Sequence, residues 1–346
     1  MKLITVDGLQ GKSQIFVGET LGNVGKYLPE SNVLVITDNN VKHHHQSSFP
    51  QFPVYSIDAG ERSKNLEEVA DIYRWLLSQG ADRTSFILGI GGGVVCDIAG
   101  FVASTYMRGV KFGFVATSLL AQVDASIGGK NGVDFDGYKN IVGTFNQPQF
   151  VICDTAILST LAKDEIINGY AEILKHTLIA DAQMFHYIEC RIDSLKQFDP
   201  VMLMEFVVHS VSIKAKIVQT DENEKNERKK LNLGHTWGHA IEKISGMSHG
   251  KSISIGLEFA ARLSVEKGLL KKKDYLRIIN VLRELDLPVC SKINPFKVFE
   301  ALKMDKKKTA NSIDFILMNG VGNVVIERIT LDEIHNFIQP KPNYEN

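Results

Sequence analysis

The chain has 346 residues, enough for two domains with ordinary cores, and its 44% hydrophobic and 23% charged content is that of a globular protein. Basic residues number 39 and acidic residues 40, so no global charge draws the chain to nucleic acid or to an anionic membrane surface. No run of ~18 uninterrupted apolar residues occurs, which argues against a membrane span.

In chain order, residues 32–37 predict a buried strand ending at Asp38, and residues 52–57 a second. Between Ser63 and Gly80, apolar residues fall at helical spacing (Leu66, Val69, Ala70, Tyr73, Leu76, Leu77), with Ser63 as N-cap and Gly80 as the stop. Strands at 85–90 and 111–116 flank a helix over 94–104, and a strand at 150–153 closes the series. Continuous apolar strands alternating with helices predict a mostly parallel, Rossmann-like sheet covered on both faces. After about residue 158 the period lengthens to that of helices, over 163–180, 199–219, 234–245, 252–267 and 273–285, punctuated by Pro200, Gly268 and Pro288. Residues 312–318 and 323–328 flank Asn319-Gly320 and predict a β-hairpin. The expected organisation is an α/β domain over 1–158 and a mainly α-helical domain over 159–346 with a small hairpin near 312–328. With no low-complexity linker, the two are expected to pack tightly, and a cleft between them is the natural place for ligands. Cys96, Cys153, Cys190 and Cys290 form no CxxC pair and read as reduced thiols, and the first residues lack a signal-peptide pattern. The expected setting is the cytoplasm.

Several residues carry chemistry. Gly89, Gly91, Gly92 and Gly93 follow a strand and open a helix, an arrangement that lets a phosphate approach backbone N–H groups. Val94 stands where the dinucleotide fingerprint needs its last glycine, so a ligand-free strand–helix turn is the other reading. Asp38 could accept hydrogen bonds from a ribose or cap a helix. Glu172, His235 and His249 are potential metal ligands, since one carboxylate with two imidazoles is a common set for a catalytic divalent ion. Glu172 shares a helical face with Lys175, and His235 shares one with His239. Such a histidine pair also reads as structural, and Thr236 and Trp237 exclude the HExxH motif. His43, His44 and His45 read as a solvated loop. Arg108, Lys130, Lys139, Lys175, Lys214, Arg228 and Lys306 or Lys307 sit beside glycine, asparagine or apolar segments, where a lysine can meet phosphate closely. The runs 224–230 and 271–273, Arg228 aside, read as solvated charge.

Taken together, these segments resemble the 3-dehydroquinate synthases of the sugar-phosphate cyclase superfamily. They are residues 60–64 (GERSK), 91–97 (GGGVVCD), 106–109 (YMRG), 123–130 (VDASIGGK), Lys139-Asn140, 172–175 (EILK), Lys214 with Asp221-Glu222, Arg228, 231–236 (LNLGHT), 239–242 (HAIE) and 305–307 (DKK). The order and spacing follow the family over nearly the whole chain. The resemblance implies an enzyme using NAD and a divalent metal, zinc or cobalt, held by Glu172, His235 and His249. It assigns NAD to Asp38, Asn40, Glu61, Lys64, Gly92, Gly93, Asp97, Thr117 and Ser118. Lys130, Asn140, Arg108 (lent by a second subunit of a homodimer) and Lys306 or Lys307 would surround a substrate phosphate, with Lys139 beside them as a catalytic lysine. Lys214 and Arg228 would face a carboxylate, while Asp124, Lys175, Asn232 and His239 would contact hydroxyls or relay protons. The implied reaction turns 3-deoxy-arabino-heptulosonate 7-phosphate into 3-dehydroquinate and phosphate by transient oxidation, elimination, reduction and aldol closure. The substrate phosphate acting as its own base would require lysines without a competing carboxylate. A sibling cyclase on a substrate lacking the carboxylate, and a metal-dependent polyol dehydrogenase, are the alternatives. One departure is Lys251, where the family often has Glu; it is expected to face solvent.

Overall fold

The computed structural model describes residues 1–9, 11–30, 32–305 and 311–339, with the side chains of 304 and 305 left aside. The chain falls into two compact units, Met1–Gly169 with Phe198–Glu224, and Tyr170–Gln197 with Lys225 onward.

The first unit is built on a seven-stranded sheet. Its strands are β1 (Lys2–Gly8), β2 (Gly11–Val17), β3 (Val33–Asp38), β4 (Val54–Ile57), β5 (Phe86–Gly91), β6 (Lys111–Ala116) and, later in the chain, Phe150–Cys153. The antiparallel pair Lys130–Phe135 (β7) and Tyr138–Phe145 (β8) stands apart from it, so Phe150–Cys153 is β9. The order is β1-β2-β9-β6-β5-β3-β4, parallel throughout except that β1 returns antiparallel on β2. β3, β5 and β9 are buried at every position, as strands covered on both faces must be. Leu34, Ile36, Phe86, Leu88 and Ile90 supply much of the core.

Helices follow the strands. α1 (Asn39–His45) leaves β3, α2 (Leu66–Ser78) leads to β5, and α3 (Gly93–Thr105) leaves β5. From β3 the chain crosses outward to edge strand β4, then returns to β5 on the other side of β3. The crevice outside the carboxyl ends of β3 and β5 is therefore the topological switch point of the sheet, the usual ligand position in open α/β folds. α2 is capped not by Ser63 but by Asn65, whose side chain accepts from Glu68 N at 2.8 Å. Ser63 is held in a preceding turn, donating to Asp58 O. His43–His45 form the last turn of α1 and not a loop, because the Asp38 cap starts a helix at once.

The remaining helices are α4 (Lys163–Ala180), α5 (Ala182–Glu189), α6 (Ile192–Lys196), α7 (Pro200–Thr220), α8 (His235–Ser245), α9 (His249–Glu266), α10 (Lys272–Glu284), α11 (Pro295–Asp305) and α12 (Leu331–Ile338). α7 opens on Pro200 after the Asp199 cap, and it packs against β1 and β2 within the first unit. In the second unit, hairpin β10 (Ser312–Met318) and β11 (Val324–Thr330) joins α8, α9, α11 and α12 around Trp237, Phe259, Phe315 and Phe337. Its connection is longer than the Asn319-Gly320 pair, closed by Asn319 N donating to Asn323 O at 2.9 Å. Among the described residues no helix is long and apolar enough to cross a membrane.

Candidate active site

In the first unit the carboxyl end of β5 passes through Gly91 and Gly92 into α3. Gly92 is the N-cap of α3 and, being glycine, provides no side-chain cap. The first N–H groups of the helix are thus left for a ligand or solvent, with the positive end of the helix dipole behind them. The floor is tight: a Cβ at Gly92 would stand 3.2 Å from Ser118 Oγ, and one at Gly93 3.2 Å from Ala125 Cβ. Thr117, just past β6, donates its backbone N–H to Gly91 O at 2.9 Å. Gly92, Gly93, Thr117 and Ser118 are therefore one cluster. Asp38, at the adjacent strand end, caps α1 through bonds from Asn40 N (2.9 Å) and Val41 N (3.0 Å). Both of its bonds from the helix fall on Oδ1, so the capping role leaves Oδ2 outside those two contacts.

One turn into α3, Asp97 Oδ2 meets Lys64 Nζ at 2.5 Å, with side chains 17% and 5% exposed. Burial opposes the charge on Lys64, but the carboxylates of Asp97 and, behind it, Glu61 and Asp134 outweigh it and hold the amine above its ordinary value. Lys214, buried on α7, donates to both Asp124 Oδ1 (2.5 Å) and Asp124 O (2.7 Å). The Asp124 backbone lies in a π-helical turn, Ala121–Ala125, a local widening common at functional sites. Gln122 pins that turn by donating to Ala116 O and Asp154 O.

The phosphate candidates carry a surprise. Lys130, at the start of β7, is paired with Glu224. The sequence pattern places Glu224 in a solvated run, yet its positive φ of 57° turns the chain there and its carboxylate meets the lysine. Lys139 Nζ lies 3.4 Å from Glu61 Oε1, both half exposed. Asn140, at φ 51°, donates its N–H to Asp134 Oδ1. Arg108 is exposed with φ 70°. Lys306 and Lys307 lie outside the described residues.

The second unit holds the candidate metal centre. Glu172, on α4, is fully buried, and Lys175 one turn on is paired with it. Its Oε1 faces His235 Nε2 at 3.7 Å and His249 Nε2 at 3.4 Å. The three ligand atoms lie within 4.8 Å of one another. Each imidazole is the first residue of its helix, and glycines let the helices meet. A Cβ on Gly256 of α9 would come within 1.9 Å of Gly234 O, so only glycine permits this crossing. Gly234, at φ 78°, caps α8 in a left-handed conformation.

The outer nitrogens are engaged as well. His235 Nδ1 donates to Leu233 O at 3.1 Å, which leaves the Nε2 lone pair toward Glu172. Burial, then the charge of Lys175, pushes the His235 pKa well below its ordinary value, keeping the ring neutral as a metal ligand must be. Burial also opposes charge on His249, but Glu172 and Glu242 outweigh it and raise the ring to about 9. Carboxylates 3.4 Å from both ring nitrogens make a negative cage, and a cation bound there would take the place of the ring proton. The donor set, buried carboxylate and two Nε2 atoms with fixed outer nitrogens, fits a divalent ion of the zinc or cobalt type. His239 is exposed but near, its ring 4.9 Å from His235 and 5.9 Å from His249. Arg228 is buried, Asn232 half-buried, and Lys251 half-buried in the first turn of α9. Glu224 and Glu242 are two site carboxylates to which the sequence reading gave no role. Their pairing with Lys130 and His249 has no local signal.

Family models described as the N-terminal and C-terminal parts of 3-dehydroquinate synthase match residues 54–168 and 169–308. A curated 3-dehydroquinate synthase from Thermoanaerobacter pseudethanolicus is 39% identical, covering 96% of this chain and 99% of that protein. Among solved structures, a 2-deoxy-scyllo-inosose synthase complexed with carbaglucose-6-phosphate, NAD+ and Co2+ is 26% identical with a TM-score of 0.86, covering 97% of this chain and 99% of that one. A 2-epi-5-epi-valiolone synthase from Streptomyces hygroscopicus, with NAD+ and Zn2+ bound, is also 26% identical with a TM-score of 0.86, over 97% and 96%. The chain belongs to the 3-dehydroquinate synthase family.

Proposed function

We propose that this chain converts 3-deoxy-arabino-heptulosonate 7-phosphate into 3-dehydroquinate and phosphate, with NAD and zinc or cobalt, acting as a cytoplasmic homodimer without a nucleic-acid partner. The observation that carries the reading is the set of Glu172, His235 and His249, a fully buried carboxylate with two imidazoles whose ligand atoms lie within 4.8 Å of one another. It stands intact in a chain whose near-full-length relative bears the synthase name.

When bound, NAD supplies a reversible hydride acceptor, and the divalent ion supplies positive charge to the substrate oxygens. In the proposal, Glu172, His235 and His249 hold the ion, and the N–H groups at Gly92 and Gly93 receive the cofactor pyrophosphate. Asp38, Asn40, Glu61, Lys64, Asp97, Thr117 and Ser118 hold the rest of the cofactor. Arg228 offers a planar fork to the substrate carboxylate, which Lys214 supports as a point charge. Lys130, Lys139, Asn140, Arg108 and Lys306 or Lys307 bind the phosphate. Oxidation of a ring hydroxyl to a ketone acidifies the neighbouring C–H, the phosphate takes that proton and leaves, and reduction restores the hydroxyl. Ring opening and an intramolecular aldol then close the carbocycle with no net redox change. His239 moves the proton at its ring nitrogen, while Lys175 Nζ, Asp124 and Asn232 orient hydroxyls. Glu224 and Glu61 enter this scheme as carboxylates on Lys130 and Lys139, so the phosphate has to compete with them for the lysines.

A sibling cyclase would lack the substrate carboxylate and leave Arg228 without its assigned role. Arg228→Ala therefore tests the assignment. The loss in kcat/KM for the carboxylated substrate should be about 100-fold, as for removal of a charged hydrogen-bond partner. A decarboxylated analogue should be affected much less, and equal losses on the two would count against the proposal.

A further inference from the structure

Glu242 lies on α8 two turns beyond His235, nearly buried, with Oε2 3.4 Å from His249 Nδ1. The opposite nitrogen of that ring, Nε2, faces Glu172 Oε1 at 3.4 Å. A neutral imidazole has one N–H and one lone pair; with a cation bound by Glu172, Nε2 would have to present the lone pair, which puts the one N–H on Nδ1, where the Glu242 carboxylate can accept it. We infer that Glu242 is a positioning residue for the metal centre: it fixes the ring orientation and Nδ1-protonated tautomer of His249, presenting Nε2 to the ion. The inference rests on the metal-binding reading proposed above and deepens it.

Two further observations single out this contact. His235 receives the same support from the backbone carbonyl of Leu233, which no side-chain substitution removes. His249, by contrast, is the first residue of α9, and its outer nitrogen meets a side chain of α8. Of the two imidazoles, only His249 has its outer nitrogen on another side chain. Outer partners of this kind raise ligand basicity and restrict ring rotation, and their loss typically costs about 10–100-fold in metal affinity. Glu242 could instead be a ligand itself, because His239, Glu242 and His249 also bring ligand atoms within 4.8 Å of one another.

Cobalt titration of the metal-free full-length chain separates these roles, read by visible absorption and by competition with a chelator. The unsubstituted chain should take one cobalt per chain. Glu242→Ala should bind cobalt about 10–100-fold more weakly and shift its absorption band. Glu242→Gln keeps an acceptor for Nδ1 and should recover most of the affinity. Glu242→Met removes the acceptor at similar volume and should behave as Ala does, so it carries the test if the Ala variant fails to fold. The metal-free Met and Gln variants should unfold at matching temperatures, which separates positioning from general stability. Full affinity and an unchanged spectrum in folded Ala or Met variants would overturn the inference. So would a second cobalt that disappears with Glu242, which would make it a ligand. No cobalt bound by the unsubstituted chain would sink the metal reading as well. Equal binding by the unsubstituted chain and the variants would sink only the role of Glu242.

Discussion

The Lys64–Asp97 pair allows folding and cofactor binding to be separated by a double-mutant cycle. Both side chains are largely buried and in contact at 2.5 Å. Lys64→Met would leave a carboxylate without its ammonium, and Asp97→Asn would leave the ammonium without its carboxylate. Breaking a buried pair by removing one partner costs about 3–5 kcal/mol, mostly because the other charge is left uncompensated. The double variant has no orphaned charge, only an amide that can lack a partner, and should lose about 1–3 kcal/mol. The coupling energy should therefore be several kcal/mol, well beyond the ~0.5 kcal/mol within which independent sites add. Urea unfolding of the four proteins gives the stabilities, and fluorescence titration gives NAD affinity. The double variant should recover stability but not NAD binding, since Lys64 is assigned to the cofactor. Additive stability losses would refute the electrostatic argument, and unchanged NAD affinity in the double variant would refute the assignment.

Glu19 should shape acid stability. Hydrogen bonds from Tyr27 Oη, Asn23 Nδ2 and Thr20 N hold its carboxyl down at about 2 against an ordinary value of 4.5. A depressed carboxylate contributes stability that is fully present above 4.5 and lost as pH falls toward about 2. The gap between Glu19→Gln and the unsubstituted chain, measured by denaturant unfolding, should thus narrow across that window; a constant gap would contradict it. Gly100→Ala should destabilise by about 1–3 kcal/mol through overpacking. The added Cβ would fall 2.0 Å from Asn131 Oδ1, and Asn131 cannot swing aside without losing its bonds to Gly129 O and Asn146 O. Because Asn131 follows Lys130, phosphate affinity measured by calorimetry should fall with it, and a neutral result in both readouts would show that the turn relaxes.

How much the sequence reveals depends on how local the cause is. β5, β6 and β9 are continuous apolar runs, and β5 meets a glycine turn, so both the strands and the α3 start are legible in place. The β1–β2 hairpin is harder, because an edge pair with mixed burial carries no continuous apolar run. α7 reads correctly as a helix, but its period cannot say that it packs on β1 and β2. The Glu172, His235 and His249 set is legible as residue types. What brings them together is the Gly234–Gly256 crossing, which depends on two helices meeting. Glu224 escapes because a charge in a polar run looks solvated until its partner arrives from elsewhere in the chain, and Glu242 because its contact with His249 depends on how α8 and α9 meet. Asp38 shows the converse: of its two sequence readings, the structure displays the cap directly.

Phosphate release from 3-deoxy-arabino-heptulosonate 7-phosphate tests the central claim most directly, measured with NAD before and after chelation and again after zinc or cobalt is restored. The account predicts release that disappears with the metal, returns with it, and proceeds without net NADH. Steady NADH accumulation with a simple polyol, or no phosphate from a folded and metal-loaded protein, would contradict it.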